Sequence, residues 1–153
     1  MPIVDIDHVA IPTARPEEML TFYRALGFSA PSPEKWRDRG LPFFSLSLGN
    51  TKINVHAPAL WQDASMTLRG PAAQPGCGDF CFVWSGPMAA LHDVLAAAGA
   101  VVEEGPVERQ GGRRALVHSG RSGVVGHRTI IRYRGVPAQR RLAPGRALVG
   151  SGW

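Results

Sequence analysis

Residues 6–13, IDHVAIPT, run directly into PEEMLTFYRALGF (16–28), and residues 78–85, GDFCFVWS, run into PMAALHDVLAAAGA (87–100). Each pair is a short alternating strand followed by a helix opening at proline. The offset between the copies is 71 residues at His8/Asp79 and at Pro16/Pro87, and 72 at Gly27/Gly99. Two copies of one supersecondary unit predict a pseudo-two-fold domain with a cleft between its halves. Polar side chains from matching strands would meet in that cleft.

Outward from this repeat, the first strand has period two. Val4, Ile6, His8 and Ala10 take one face and Asp5, Asp7, Val9 and Ile11 the other. The first helix begins at Pro16 with Glu17 and Glu18 in its positive first turn. Met19, Phe22, Tyr23 and Leu26 form its core stripe, and Gly27 is placed to end it in a left-handed cap. FFSLSLGN (43–50) and TKINVHA (51–57) read as a hairpin turning at Gly49-Asn50. PALWQDASMTLRGPAAQPGCG (58–78) reads as a Pro/Gly-rich connection. In the second unit Phe80, Phe82 and Trp84 share one strand face, opposite Asp79, Cys81 and Val83. Met88, Leu91, Val94, Leu95 and Ala98 stripe the second helix, which Gly99 caps. AVVEEGPVE (100–108), ALVHS (115–119) and TIIRY (129–133) follow as strands, while the pattern degrades beyond Arg109. The fold class is therefore α+β.

The 153 residues, 44% hydrophobic, suffice for one domain with a sizeable core, and no run approaches a membrane span. The opening MPIVDIDHV lacks the basic-then-apolar pattern of a signal peptide, so a cytoplasmic protein is expected. Cys77 and Cys81, four apart, suit neither a disulfide nor a zinc knuckle; we take them as reduced thiols that pack as small hydrophobes. The net charge of +5 is divided unevenly. Residues 1–108 carry seven Lys/Arg against twelve Asp/Glu, and residues 109–153 carry ten Arg and no acid. That tail has no Lys and little aromatic interleaving, so nucleic-acid binding is not expected. Its Arg, Gly, Ala, Val and Pro are what GC-rich codons produce in any frame, which points to an out-of-frame or divergent C-terminus.

His8, His56 and Asp79 are strand residues able to bind a divalent metal. His56 sits on a polar strand face with Lys52 and Asn54. Imidazoles with a carboxylate suit Zn, Ni, Fe or Mn without choosing among them. A structural strand histidine or a solvated edge accounts for the same residues. His56 follows His8 by 48 residues, and His127 follows Asp79 by the same interval, so strict pseudo-symmetry adds His127 as a fourth ligand.

The order IDHVAIPT, FYRALGF, INVHA, GDFCFVW, LAAAGA and VEEGPVER resembles the vicinal oxygen chelate superfamily over residues 3–109. That group comprises glyoxalase, bleomycin-resistance and dioxygenase-like proteins, and the match is to its small bacterial virulence-associated branch. The resemblance implies two tandem βαβββ modules in a half-open barrel around a cleft, the second module expected to be incomplete. It places the domain at 1–135, with module one at 1–58, a linker at 59–76 and module two at 77–135, then an irregular or disordered tail at 136–153. By position His8 and His56 match metal ligands, and Asp79 falls where many members have a histidine. The family's fourth ligand is a Glu after an Asp-Pro-Asp-Gly-Asn-like turn, and this chain has neither; Glu103, Glu104 and Glu108 read as a solvated loop face. The implied activity is metal-dependent isomerase or lyase chemistry on a small vicinal-oxygen substrate through an enolate-like intermediate, in a homodimer. The alternatives are a metal-independent drug-sequestering protein stacking its ligand on Trp36, Phe44 or Trp84, or an inactive relative with a frameshifted C-terminus.

Overall fold

The structure is a computed structural model and describes residues 2–67, 69–109, 113–118 and 128–133. His127 and the tail from residue 136 onward lie outside the described residues, as does any test of a frameshift there.

Alternation in IDHVAIPT becomes strand β1 (His8–Pro12), and the Pro16 start becomes helix α1 (Pro16–Ala25), with Glu17 and Glu18 in its first turn. Gly27 follows at φ 93°, a conformation L side chains rarely adopt. A Cβ there would meet nothing within 4 Å, so Gly27→Ala isolates the conformational cost. We expect a loss of about 1–2 kcal/mol in chemical denaturation, with the slope of unfolding unchanged.

Helix α2 (Pro33–Arg39) is an element the periodicity does not announce, because none of its residues is buried. Local chemistry holds it instead. The Ser32 hydroxyl accepts from the Lys35 amide, Pro33 fills the first turn, and Gly40 closes the helix at φ 62°. The hairpin forms as expected from β2 (Phe43–Leu48) and β3 (Thr51–His56). Gly49, at φ 58°, supplies the positive φ that a two-residue primed turn requires. A single turn, α3 (Pro58–Trp61), opens the connection. Module two then contributes β4 (Asp79–Trp84), α4 (Met88–Ala97), β5 (Val102–Arg109), β6 (Arg113–His118) and β7 (Arg128–Tyr133).

The strands form two sheets of matching topology, β1-β3-β2 and β4-β7-β6-β5. In both, the first strand pairs in parallel with the last and the others run antiparallel. A lone bridge from Ser29 to Ser47 marks where module one would carry its fourth strand. The irregularity of module two lies in β5, whose ladder shifts register between Val102 and Glu104 and again before Val107. Among the described residues, no helix is long and apolar enough to cross a membrane.

One core serves both modules. Met19, Leu20, Phe22 and Tyr23 of α1 are fully enclosed and pack on Phe44, Leu46, Ile53 and Val55. Leu91 and Leu95 of α4 join the same cluster, with Phe80 and Phe82 of β4 at its margin. Both cysteines are free, as expected, but exposed rather than packed in a core.

Candidate functional site

Strand pairing assigns every side chain of the first sheet to a face. His8 pairs with Lys52, Ala10 with Asn54 and Pro12 with His56; across the hairpin, Phe43, Ser45 and Ser47 pair with His56, Asn54 and Lys52. Directly paired residues point the same way. One face therefore holds Ile11, Ile53, Val55, Phe44 and Leu46 in the core. The opposite, open face carries His8, Lys52, Asn54, His56, Ser45 and Ser47. It is organised by its own hydrogen bonding: the Ser45 hydroxyl donates to Asn54 Oδ1 at 2.8 Å.

His8 stands at one end of this face. Its Nδ1 lies 2.5 Å from Asp7 Oδ1, and Lys52 Nζ lies 3.4 Å from the same oxygen. The hydrogen bond from His8, then the charge of Lys52, hold the Asp7 carboxyl below the usual carboxylate range. An ionised Asp7 can only accept, so Nδ1 of His8 is the donor in this hydrogen bond.

His56 stands at the other end, and the connection between the modules folds over it. Ala10, Pro12, His56, Trp61, Arg69, Gly70 and Ala73 line a small cavity of about 10 Å³. The segment is anchored there by Trp61 Nε1, which donates to the Thr13 carbonyl at 2.9 Å, and by the Thr13 amide, which donates to the His56 carbonyl at 3.0 Å. Burial pushes the His56 imidazole below its ordinary value near 6.5. The unfolded chain thus binds the proton more readily than the folded one. Stability contributed by neutral His56 is complete above about pH 6.5 and falls as pH drops through the ordinary value toward the depressed one. In His56→Asn this part of the acid destabilisation should disappear, as urea midpoints measured between about pH 7.5 and 5 would reveal.

A second cavity, of about 330 Å³, opens beside β2 between Trp36, Arg39, Phe43, Phe44, Ser45 and Ser47. Trp36 and Phe44 meet edge to face with ring centroids 5.7 Å apart. Two buried side-chain donors have no partner among the described residues: Trp36 Nε1 and Arg69 Nη1. Other atoms of Trp36 and Arg69 line the larger and the smaller cavity respectively.

The expected metal ligands are spread out. His8 and His56 share the open face, but His8 pairs with Lys52, four residues before His56. At about 3.3 Å per residue this separates their registers by about 13 Å, with side chains roughly perpendicular to the sheet. One ion binds two imidazoles at about 2 Å each, so this pair does not fit a shared metal. Asp79 is exposed at the start of β4, beside Arg128 in register. Among the described residues, no three His, Cys, Asp or Glu side chains lie where they could hold one metal ion. Asn54, Ser45, Trp61 and Arg69 are what strand alternation alone did not single out as site residues.

No family model matches the chain. It is 32% identical over 111 residues to virulence protein STM3117 of Salmonella typhimurium, covering 71% of this chain and 70% of that one. This chain belongs to the vicinal oxygen chelate superfamily. The crystal structure of STM3117 superposes with a TM-score of 0.66 at 26% identity, over 87% of this chain and 98% of that one. The glyoxalase domain-containing protein RDO1 of Mycosarcoma maydis is 30% identical over 106 residues, 69% of this chain, which spans only 54% of RDO1. A glyoxalase/bleomycin resistance/dioxygenase superfamily protein from Sphaerobacter thermophilus shares the fold, with a TM-score of 0.60 at 18% identity over 88% of this chain and all of its own. The superfamily assigned, the matching topology of the two sheets is that of its paired modules.

Proposed function

We propose that this superfamily member binds a small oxygen-bearing molecule on the open face of its first sheet. The supporting observation is the segregation within β1, β2 and β3. Ile11, Phe44, Leu46, Ile53 and Val55 enter the core, and Lys52, Asn54, His56 and Ser45 are left with Phe43 as a row of donors and acceptors between two cavities. Binding in this form is closest to the drug-sequestering mode, with Trp36 and Phe44 as the apolar wall of the larger cavity. Titration with catechol, a neutral aromatic with adjacent oxygens, should quench tryptophan fluorescence saturably. Asn54→Ala should weaken it at least fivefold. Linear, non-saturating quenching unchanged in Asn54→Ala would remove the proposal.

A metal-dependent isomerase or lyase is the second reading, supported by the Asp7–His8 pair, which presents one imidazole nitrogen as a metal-binding histidine is commonly presented. Its ligands would be His8 with Asp79 and His127 rather than His8 with His56. Ni²⁺ or Zn²⁺ should then raise the melting temperature of the wild type and of His56→Ala, but not of His8→Ala. The same proposal takes the protein as cytoplasmic and homodimeric. The outer edges of β1 and β4 and the exposed Ile3, Val4 and Ile6 support the dimer. Light scattering at two concentrations tests it.

A further inference from the structure

We infer that the outer edge of β2, at residues 43–45, is a docking site for a short extended peptide. The peptide adds a strand there, sets an aromatic side chain in the cavity beside Trp36 and offers an acidic group to Arg39. The inference shares that cavity with the small-molecule reading but stands on the backbone of β2 rather than on the polar face.

Strand β2 is the outermost of its sheet, with β3 on one side only. In an antiparallel ladder the N–H and C=O groups of successive residues point alternately toward the partner strand and away from it. Two observed contacts fix which is which. The Pro42 carbonyl accepts from the Ala57 amide at 2.9 Å, so Pro42 faces the β3 side. The Ser47 amide and carbonyl bond outward to Ser29, at 2.9 and 3.0 Å. Alternation between these points turns the amides and carbonyls of Phe43 and Ser45 outward. Among the described residues, neither has a backbone partner on that side.

The sequence explains why pairing stops. With Ser29 bridged to Ser47, the next residue to pair in the same register is Pro31, opposite Ser45. Pro31 has no amide hydrogen to give the Ser45 carbonyl, and Ser32 and Pro33 already cap and open α2. The strand is abandoned after one bridge. A cavity of about 330 Å³ opens in its place, with Pro31, Phe43 and Ser45 in its lining. An uncovered edge accepts an extended chain, whose main-chain groups supply affinity and whose alternate side chains supply the choice.

The lining makes that choice. A peptide residue paired with Ser45 points with it to the open face. The next, opposite Phe44, points to the side where Phe44 and Trp36 meet edge to face. That position suits an aromatic ring, which can join the existing pair and cover the exposed Leu41. Arg39 is the one charged side chain of the lining and has no ionic or hydrogen-bonding partner among the described residues. It complements an acidic group on the peptide. Ser29 closes the edge at Ser47, so only a short stretch can pair.

The test uses the whole chain, isotope-labelled for amide NMR, and the capped peptide acetyl-Val-Phe-Val-Glu-amide. On titration the amide protons of Phe43 and Ser45 should shift downfield and gain protection from exchange, while those of Phe44 and Leu46 move less. N-methylation of both peptide valines removes the donors aimed at the edge and should weaken binding at least tenfold. N-methylation of the phenylalanine, whose amide faces away, should be tolerated. Equal sensitivity to the two methylations, or to neither, would overturn strand addition. Ser45→Pro removes the outward amide and leaves the β2–β3 ladder its bonds, so it should lose the peptide with its circular dichroism unchanged; should it fail to fold, the methylated peptides decide. Replacing the peptide's Glu by Gln, or Arg39→Gln in the protein, should each weaken binding at least threefold, and both together no further. Indifference to both changes would overturn the acidic preference. Protection of the Phe43 and Ser45 amides without peptide, lost on dilution, would overturn the peptide in favour of a second copy on the same edge. Peptide binding without catechol quenching upholds the edge and removes the small-molecule reading; catechol quenching without peptide binding does the reverse.

Discussion

Tyr23→Ala should cost about 3–5 kcal/mol, the range for emptying an aromatic site in a packed core. Tyr23 is fully enclosed. Its ring meets Phe22 and Phe28 edge to face within module one, at centroid distances of 5.2 and 5.0 Å, and Phe82 of module two at 6.1 Å. Among the described residues, Phe28 also meets Phe82, with ring centroids 5.1 Å apart. The loss is a large share of the 5–15 kcal/mol that holds a typical domain, so the melting temperature should fall by roughly 10–15 °C. Tyr23→Phe keeps the ring and should recover most of it. A double-mutant cycle with Phe82→Leu should give a coupling of about 0.5–1.5 kcal/mol beyond the area lost. A Tyr23→Ala protein melting within about 2 °C of wild type would mean that the two modules do not share this core.

The elements that define this fold were legible because their residues obey a period. Met19, Phe22 and Tyr23 at helical spacing, and Phe80, Phe82 and Trp84 at spacing two, report burial directly, and the structure buries them or packs them against the core. Leu20, also fully enclosed, was not in the stripe read from the sequence, because α1 is wrapped more widely than one face. Helix α2 escaped since its stability is local; Ser32-Pro33-Glu34 before Gly40 is a capping signature that could have found it. The site was less legible, and for a different reason. Alternation assigns His8 and His56 to one face but says nothing of how β1 slides along β3. The register that sets His8 opposite Lys52 comes from the long connection between those strands, through α1 and α2. Arg69 lies in a stretch with no period at all. Its burial is a tertiary fact, made when the connection folds back over Pro12 and His56.

Leu91→Ala is the second large effect, about 2–5 kcal/mol, and its character should differ from that of Tyr23→Ala. Of the side chains described in module two, only Leu91, Leu95 and Ala98 are buried outright; β4 shows a half-buried face and an exposed one. Module one by contrast supplies ten of the thirteen residues of the core cluster. Among the described side chains, α4 therefore supplies the principal attachment of module two, and a cavity at Leu91 should loosen that attachment more than the first sheet. Amide hydrogen exchange should record this as a sub-global opening, with protection of β4 lost well before that of β3. In Tyr23→Ala both strands should lose protection together, since the residue removed lies on α1 at the contact between them. Equal loss of protection in β3 and β4 of Leu91→Ala would instead make the two modules one cooperative unit. A ligand held by β3 and the connecting segment would then protect module two as strongly as module one. If the opening is sub-global, catechol bound on the first sheet should protect β3 in Leu91→Ala and leave β4 exchanging as fast as before.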